Sequence, residues 1–326
     1  MIHPIPSGTR DVLPDEMREL RQITDALRRG FQAHGYGEVY TPALEYEEVL
    51  ARAELSEAAP AYRLFDETGA PLTLRSDMTV PIARLVATRY PQATGPLRFC
   101  YLAHCYRRVR PQRGQPRELL QAGVELIGAP APEGTAEVLS TLCRTLESTG
   151  LESYRVGLGD ASVFSTLMNG LEVPEADRAG LLAALGRRDF VELQRLAGRT
   201  GLRESAVRML IEVPQRRGGE EVLDHAPGPV ADAVRGMRQV GALLAPEVAA
   251  RVIFDLGLLR GIGYYTGAVF EVYDPALGAP LGGGGRYDDL LGRFGRPLPA
   301  VGFAIGVEAL HIALAGEERG TGAMLA

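Results

Sequence analysis

The sequence predicts an α+β fold in which an antiparallel sheet is flanked by helices and interrupted by a helical insertion. Strand-type patterns recur before residue 130 and return at residue 251, whereas residues 174–245 carry almost only helical periodicity. The 326 residues are 46% hydrophobic and 23% charged, which is enough apolar material for a large core or two domains. We therefore expect a core domain formed by residues 1–160 and 251–326, with the helical insertion at residues 161–250.

The first third of the chain predicts a helix followed by short strands. Residues 14–31 have apolar side chains at helical spacing, acidic residues in the first turn and glycines after the last one. A short strand ended by Pro42 follows, and residues 62–79 have the pattern of a hairpin whose turn spans residues 67–71. Residues 81–90 then predict a second helix.

The remaining elements complete the sheet on both sides of the insertion. Two apolar strands, at residues 97–107 and 119–128, flank a polar, arginine-rich loop, and a helix follows at residues 133–148. After the insertion the predicted elements are strands at residues 251–259, 264–273, 282–285 and 300–306, and a closing helix at residues 307–314.

The composition excludes several kinds of chemistry. All 35 basic residues are arginine, and the absence of lysine excludes Schiff-base catalysis, pyridoxal phosphate attachment and a P-loop. The net charge of −6 argues against nucleic acid as the main partner, because that binding depends on neutralising phosphates.

Targeting and metal-binding signals are also missing from the sequence. No apolar run approaches the roughly 18 to 20 residues that a membrane span needs, and the first residues lack the pattern of a signal peptide, so we expect a cytoplasmic protein that does not bind a membrane. Three cysteines form no CxxC pair and no two of the five histidines have metal-ligand spacing. We therefore expect core thiols and no metal.

Two predicted strands carry candidate binding residues. Side chains two apart share a face of a strand, so Gln121, Gly123 and Glu125 point one way, and Asp77 and Thr79 share a face of their own predicted strand. Two carboxylates, an amide and a hydroxyl near arginines suit a small zwitterion, because carboxylates bind an ammonium and arginine binds a carboxylate. The alternative, a solvated strand face of ordinary polarity, remains open on spacing alone.

A second group of candidates lies in the segment RGIGYYTGAVFE. Arg260 stands beside three glycines, and the paired tyrosines Tyr264 and Tyr265 can orient an aromatic ligand through their hydroxyl groups on an otherwise apolar strand. The alternative for these tyrosines is ordinary packing in the core. The run of four glycines at residues 282–285 lacks the strand, GxGxxG and helix order of a dinucleotide site.

Arginines are concentrated in one stretch of the sequence. Eight of them, and no acidic residue, lie between Asp77 and Glu118, including a cluster at residues 107–117. Such a stretch is typical of an anion site, of a contact with a partner or of a solvated charged face. The residues alone do not choose among these.

Taken in order, these motifs resemble the catalytic domain of histidyl-tRNA synthetase, a class II aminoacyl-tRNA synthetase fold, over nearly the whole chain. Several motifs in the right order are more specific than any one of them. SGTRDVLP is similar to the opening signature, GYGEVYTPALE to the dimer-forming motif 1, LRSDMT to the strand that binds the ammonium, RRVRPQRGQPRELLQAGVELIG to motif 2, RGIGYYTGAVFE to the histidine-specific motif, and GGRYDDLL with VGFAIGVEAL to motif 3.

This resemblance implies a histidine-binding site. Carried over residue by residue, it assigns the α-ammonium of histidine to Asp77, Thr79 and Gln121. It assigns the imidazole to Glu125 and Tyr264, with Tyr265 as the second member of the tyrosine pair. Arg107 and Arg260 face the carboxylate side. A neutral imidazole has one donor and one acceptor nitrogen, so a carboxylate can accept from the first and a hydroxyl can donate to the second.

The part of the resemblance that concerns ATP is not maintained. Ala309 stands where motif 3 ends in an arginine, and Val109 stands where motif 2 has a glutamate. Further departures from the synthetase pattern are at Gln115, Leu119, Leu120 and Gly263. Because adenylyl transfer depends mainly on positioned charge, we expect no aminoacylation, no catalytic residue and no cofactor.

A histidine pocket without the ATP groups and without the anticodon-binding domain is similar to the regulatory subunits of ATP phosphoribosyltransferase. That resemblance implies a homodimer formed through motif 1, within a hetero-oligomer with the short-form catalytic subunit. It also implies activation of that subunit in the first step of histidine biosynthesis, feedback control by L-histidine and no tRNA partner. Two alternatives remain: a divergent histidyl-tRNA synthetase fragment that makes histidyl-adenylate, and a histidine-binding module for another partner.

Overall fold

The structure is a computed structural model that describes residues 5–53, 61–108, 116–224, 226–260 and 263–324. Its strands are β1 (Gly37–Glu38), β2 (Leu44–Tyr46), β3 (Arg63–Phe65), β4 (Pro71–Leu74), β5 (Leu97–Tyr106), β6 (Glu118–Ile127), β7 (Arg155–Asp160), β8 (Arg217–Gly218), β9 (Val252–Asp255), β10 (Ala268–Tyr273), β11 (Gly282–Arg286) and β12 (Ala300–Gly306). Its α-helices are α1 (Pro14–Ala33), α2 (Glu47–Arg52), α3 (Thr79–Arg89), α4 (Glu133–Ser148), α5 (Val163–Gly170), α6 (Glu175–Gly186), α7 (Phe190–Ala197), α8 (Glu204–Glu212), α9 (Ala231–Leu243), α10 (Pro246–Ala249) and α11 (Val307–Met324). In these ranges, none of the helices combines the length and the apolar character needed to cross a membrane.

A large sheet forms the centre of the fold, with strand order β1-β5-β6-β12-β11-β10-β7-β9-β8. The strands from β5 to β7 in this order pair antiparallel, so the predicted α+β class with an antiparallel sheet is confirmed. The sheet is nevertheless mixed, because β1 pairs parallel to β5 and β9 pairs parallel to β7. These two strands are short, and each joins the sheet only after a crossover connection.

Helices α1, α4 and α11 cover one face of the large sheet. Apolar side chains of α1, including Leu27 and Phe31, pack against Val124 of β6 and Phe303 of β12, and all four side chains are almost fully buried. Ala122, Val124 and Leu126 therefore point to the helices, as their spacing in the strand predicts. The opposite face is left to Gln121, Gly123 and Glu125.

The hairpin predicted at residues 62–79 is present, in a second, smaller sheet of order β2-β4-β3. Leu44, Tyr46, Leu64, Leu72 and Leu74 lie on one side of the three strands, where Leu44 pairs with Leu74 and Leu72 pairs with Tyr46 and Leu64. Leu44, Tyr46 and Leu64 are 46%, 52% and 40% exposed. The small sheet thus presents an apolar surface with no cover from the described part of this chain.

The segment between β7 and β9 contains helices α5 to α10, in agreement with its helical periodicity. It also contributes β8, which pairs antiparallel with β9 at the edge of the large sheet. Sequence patterns do not reveal a strand of two residues, because it forms only when its partner is alongside. The division into a core and an insertion at residues 161–250 stays a prediction.

Candidate functional site

The open face of the large sheet is built over small residues. The register aligns Tyr101, Gly123, Ala304, Gly283 and Glu271 in one row across five neighbouring strands. The next row aligns Glu125, Gly302 and Gly285. Because residues in register on one face lie side by side, these rows form a floor of glycine and alanine that is bordered by large polar side chains.

Glycine is required in this floor because polar side chains lie directly over it. A Cβ at Gly302 would be 1.9 Å from Glu125 Oε2, and a Cβ at Gly283 would be 1.9 Å from Arg260 Nη1. A Cβ at Gly285 would be 2.8 Å from the ring of Tyr265. The glycine run at residues 282–285 is therefore a platform for the site, a role unrelated to a dinucleotide loop.

A cavity of about 320 Å³ lies above this floor, and we call it the first cavity. Seven of the eight candidate residues line it: Asp77, Thr79, Arg107, Gln121, Arg260, Tyr264 and Tyr265. Other polar side chains in its wall are Tyr101, Glu271 and Tyr287. The eighth candidate, Glu125, lies behind Thr79 and Tyr287, which both contact it and line the cavity.

The prediction that Asp77 and Thr79 share a face of a strand is wrong. Strand β4 ends at Leu74, and Thr79 is the first residue of helix α3. The physical reason is local: the Asp77 carboxylate accepts a 3.0 Å hydrogen bond from the backbone N–H of Val80, which favours a helix start over a strand. Both side chains still reach the first cavity, from a loop and a helix N-terminus.

Glu125 is a buried carboxyl with both oxygens occupied. It is 1% exposed, its Oε1 accepts a 2.7 Å hydrogen bond from the Thr79 hydroxyl, and its Oε2 accepts one from the Tyr287 hydroxyl. Burial disfavours the charged form and raises the pKa of Glu125 to about 8, although both hydrogen bonds act in the opposite direction. Burial therefore favours the protonated form of this carboxyl at neutral pH.

Two polar atoms beside the cavity lack partners. Neither Gln121 Oε1 nor Arg260 Nε has a hydrogen-bond partner among the described residues, although both atoms are buried. Buried polar groups are nearly always paired in folded proteins, so an unpaired one beside a cavity indicates a place for a ligand group. The carbonyl of Gln121 can accept from an ammonium, and the N–H of Arg260 can donate to a carboxylate.

The charges of the first cavity are arranged in two groups. On one side Asp77 lies near Arg107, whose Nε donates to the carbonyl of Ser76 at 3.4 Å. Burial raises the pKa of Asp77, and the charge of Arg107 opposes this rise. On the other side Arg260 forms a 3.4 Å ion pair with Glu271. A zwitterion of amino-acid size can thus place its ammonium by Asp77 and Gln121 and its carboxylate by an arginine.

The paired tyrosines do not lie on a strand, which corrects the prediction for residues 264–273. Strand β10 begins at Ala268, and Tyr264 and Tyr265 belong to the turn before it. Consecutive residues of a strand point to opposite faces, so only a turn lets both rings face the cavity. The rings meet edge to face, with centroids 5.1 Å apart, and Tyr264 packs in the same way on Tyr287.

Sequence reasoning did not select Tyr101, Glu271 and Tyr287. For Tyr287 a signal existed, because it continues the alternation Gly283, Gly285 on the face of β11 that carries the site. Glu271 and Tyr101 are brought to the floor only by the pairing of β10 with β11 and of β5 with β6. A local sequence pattern does not indicate which residues of neighbouring strands are paired.

A second cavity, of about 580 Å³, adjoins the first and shares Leu119, Gly306 and Ala309 with it. Further apolar walls come from Val12, Leu277 and Ile312. This is where the synthetase resemblance expects groups for ATP; Leu119 and Ala309 offer no charge there, and the arginines of this cavity are Arg10 and Arg117. Val109, Gln115 and two arginines of the cluster at 107–117, Arg110 and Arg113, lie outside the described residues. Within the described ranges, no three side chains of histidine, cysteine, aspartate or glutamate converge as a metal site.

Comparison with known sequences identifies the family. A family model described as histidyl-tRNA synthetase matches residues 8–310. The chain is 42% identical over 313 residues to the ATP phosphoribosyltransferase regulatory subunit of Desulforamulus reducens, covering 94% of this chain and 78% of that protein. It is 40% identical over 316 residues to the regulatory subunit of the same name from Moorella thermoacetica, covering 95% of this chain and 81% of that protein.

Solved structures have the same fold. A structure described as an ATP phosphoribosyltransferase regulatory subunit/histidyl-tRNA synthetase, from Bacillus halodurans C, is 31% identical with a TM-score of 0.88, covering 96% of this chain and 84% of that one. Histidyl-tRNA synthetase from Nostoc sp. PCC 7120 is 23% identical with a TM-score of 0.81, covering 98% of this chain and 76% of that one, a likeness of fold. The predicted class II synthetase-like fold is therefore confirmed. The chain belongs to the family of ATP phosphoribosyltransferase regulatory subunits.

Proposed function

We propose that this chain is a non-catalytic regulatory subunit that binds L-histidine in the first cavity, activates a short-form ATP phosphoribosyltransferase catalytic subunit and relays feedback inhibition to it. The observation that carries the proposal is the convergence of two carboxyl groups, an unpaired amide oxygen, two arginines and two tyrosines on one cavity of amino-acid size. This set matches an ammonium, a carboxylate and an imidazole. The relatives named as regulatory subunits support the same role.

In this proposal the ammonium of histidine binds Asp77, Thr79 and Gln121, and the carboxylate binds Arg107 or Arg260. The imidazole lies toward Tyr264, Tyr265 and the carboxyl of Glu125. Because both Glu125 oxygens already accept hydrogen bonds, an imidazole N–H must share one of them with Thr79 or Tyr287. The pocket therefore selects a ligand whose ring can donate to a carboxyl.

The walls between the two cavities favour a sensor over an adenylating enzyme. Ala309 and Leu119 line the space where a synthetase holds adenine and phosphates, and neither can neutralise charge. A divergent synthetase fragment would catalyse histidine-dependent exchange of pyrophosphate into ATP. We expect no such exchange, and a rate above background would support the synthetase instead.

We further propose a homodimer formed through the exposed apolar face of the small sheet, which follows the motif 1 region. Leu44, Tyr46 and Leu64 lie there, and a contiguous apolar face of this kind is typical of an interface. Tyr46→Arg should yield monomers in size-exclusion chromatography with light scattering. Val191→Arg is the matched control, because Val191 is 83% exposed on helix α7 and should remain dimeric. A dimeric Tyr46→Arg variant would contradict this interface.

The decisive experiment for histidine binding is a calorimetric titration of the full chain with L-histidine, first without and then with ATP. Saturable binding that ATP does not change is the expected result. Binding that ATP strengthens, with heat from turnover, would overturn the non-catalytic assignment. The absence of binding would overturn the histidine site.

The site assignment is tested by Glu125→Gln, which retains the shape of the side chain. We expect a loss of histidine affinity on the order of tenfold or more, because an amide cannot become the carboxylate that an imidazole N–H binds most strongly. The matched control is Glu137→Gln, since Glu137 also accepts from a tyrosine and an arginine but lies away from the cavity. Equal affinity in the two variants would count against the site.

Activation and feedback are tested by reconstitution with the short-form catalytic subunit. The wild-type chain should co-purify with that subunit, raise its activity and confer inhibition by L-histidine. Glu125→Gln should assemble normally and lose only the response to histidine. Loss of assembly with an unchanged response would contradict the proposed division of roles.

A further inference from the structure

A chain of polar contacts connects the first cavity with the helical segment. It begins at Arg260 in the cavity wall, passes through Glu271 and Tyr273 on strand β10, and continues to Arg188 and Asp255. Arg188 belongs to the turn between helices α6 and α7, which we call the α6–α7 turn. The cavity and this turn are otherwise separate parts of the fold.

By their distances, the contacts in this series fall into two short ones and two long ones. The Tyr273 hydroxyl donates to Glu271 Oε2 at 2.7 Å, and Arg188 Nη2 contacts Asp255 Oδ2 at 2.9 Å. The other two contacts are longer: Arg260 Nη1 lies 3.4 Å from Glu271 Oε1, and Arg188 Nη2 lies 3.4 Å from the Tyr273 hydroxyl. Links of this length leave room for the charged groups to change partners.

Arg260 has unused capacity for an anion. A guanidinium carries five N–H donors, and the Nε of Arg260 has no partner among the described residues. The side chains of Arg260 and Glu271 are only 17% and 18% exposed, so their charges act strongly on each other and on a ligand. A ligand carboxylate that binds Arg260 in a bidentate manner would form shorter contacts than the present 3.4 Å pair.

Losing Arg260 would change the balance of charge at Glu271. Its Oε2 would remain bonded to Tyr273, and the nearest other cation on this chain of contacts is Arg188. The phenol can serve both neighbours at once, since its O–H donates to Glu271 while its oxygen accepts from Arg188. The expected response is a closer approach of Arg188 to Tyr273 and Glu271.

The backbone conformation of the α6–α7 turn makes it sensitive to such a movement. Arg188 has a φ of 53°, a left-handed conformation that is unfavourable for a residue other than glycine. Its backbone N–H bonds to the carbonyl of Leu185 at 2.8 Å, and that of Asp189 bonds to the carbonyl of Ala184 at 2.9 Å. A displacement of the Arg188 side chain would therefore alter the backbone hydrogen bonds that end helix α6.

We propose that a ligand carboxylate in the first cavity takes Arg260 from Glu271 and thereby draws Arg188 toward Tyr273, so that occupancy of the cavity tightens the α6–α7 turn. The choice of L-histidine as the ligand rests on the proposed function. The coupling is reciprocal: whatever stabilises the turn in its tightened form raises the affinity of the cavity for the carboxylate. The helical segment thus reports whether the cavity is filled.

The test is hydrogen exchange of the full chain, measured by mass spectrometry with and without saturating L-histidine. Exchange of the amides at residues 186–190 should slow by on the order of fivefold or more in the wild-type chain. In Tyr273→Phe this slowing should be lost while calorimetry still detects histidine binding. Arg188→Gln should behave in the same way.

Two controls separate the relay from general stabilisation. Tyr36→Phe removes a comparable tyrosine–glutamate bond, from Tyr36 to Glu137, and should keep the full slowing. L-Histidinol, which has a hydroxymethyl group instead of the carboxylate, should bind without slowing exchange in the turn.

The outcomes distinguish failure of the relay from failure of the proposed function. Saturable histidine binding with unchanged exchange at residues 186–190 would overturn the relay and leave the histidine site standing. Full slowing in Tyr273→Phe, or with L-histidinol, would also overturn it. The absence of any histidine binding would overturn the proposed function and the relay together.

Discussion

The two adjoining cavities differ in how their walls are made. The first has a floor of glycine and long polar side chains around it, with an unpaired amide oxygen at Gln121. The second has apolar walls at Leu119, Ala309 and Ile312, and its charged lining residues are Arg10, Arg117, Glu118 and Glu308. The second cavity is larger and also carries charge, but the first places its charged groups beside buried tyrosines and an amide oxygen on a glycine floor.

This comparison indicates that the residues lining one cavity of a cleft can be kept in this fold while those lining the adjoining cavity differ. The side chains that we propose to bind histidine depend on the glycines of β11 and β12, which also form the centre of the sheet. Leu119 and Ala309, which line the second cavity, lie at the start of β6 and of α11. The first cavity thus depends on residues in the centre of the sheet, whereas Leu119 and Ala309 of the second cavity lie at the ends of their elements.

The largest effect is expected from filling the floor with Gly302→Ala. The new Cβ would be 1.9 Å from Glu125 Oε2 and 2.5 Å from the carbonyl oxygen of Val124, and a central strand cannot move away. We expect unfolding to become easier by about 1–3 kcal/mol, together with loss of histidine binding. Denaturant unfolding and calorimetry measure both.

Gly306→Ala is the matched control for this substitution. A Cβ there would be 3.5 Å from the Cβ of Ala309, an ordinary contact between the two cavities. It should keep the stability and the histidine affinity of the wild-type chain. Similar losses in both variants would show that the floor has no special role.

The next effect concerns the charges of the two cavities. Arg260→Gln removes a cation from the first cavity, and histidine affinity should fall by roughly 10-fold to 100-fold. Arg10→Gln removes a cation from the second cavity, where Arg10 already pairs with Glu16 at 2.5 Å, and histidine affinity should be unchanged. Calorimetry of both variants compares the cavities directly, and equal losses would erase the contrast.

A smaller effect is expected from adding charge to the second cavity. Ala309→Arg places a guanidinium in the wall shared by the two cavities, and affinity for ATP should rise by on the order of tenfold. Histidine affinity in the absence of ATP should stay the same. An unchanged affinity for ATP would mean that the apolar walls are not what disfavours a nucleotide.

A further effect is a pH dependence of stability that arises from Glu125. Its pKa is raised from 4.5 to about 8 by burial, so the folded chain binds a proton more tightly than the unfolded chain. Between pH 4.5 and 8 this group therefore lowers the free energy of unfolding as pH rises, since the unfolded state binds fewer protons.

Glu125→Gln removes this dependence. Its melting temperature should gain a few degrees relative to the wild-type chain as the pH is raised from 5 to 8. The control Glu137→Gln should keep a constant offset over the same range. Parallel melting curves for wild type and Glu125→Gln would place the pKa of Glu125 near its ordinary value.

Much of the fold could be predicted because its signals are local. Helices α1 and α4 were predicted from helical spacing and their flanking residues, and the hairpin of β5 and β6 from two apolar runs around a polar loop. The side of β6 that carries Gln121 and Glu125 follows from the alternation of a strand. These inferences need no knowledge of distant residues.

The errors in the site come from two physical causes. At Asp77 a side chain that caps the next helix overrides the strand pattern, and only the hydrogen bond to Val80 reveals it. At Tyr101 and Glu271 the decisive information is the register of β5 with β6 and of β10 with β11, which is set by packing of the whole sheet. Short local patterns do not contain that information.

The glycine run of β11 has a consequence for how mutations are tolerated. At Gly282, Gly283, Gly284 and Gly285, any other residue adds a Cβ within 2.8 Å of a neighbouring atom. The lining of the first cavity is thus maintained in part by positions that contribute only backbone atoms to it. In a saturation mutagenesis screen for the response to histidine, these four positions should accept fewer substitutions than the exposed charged residues, although no side chain there can be assigned a function.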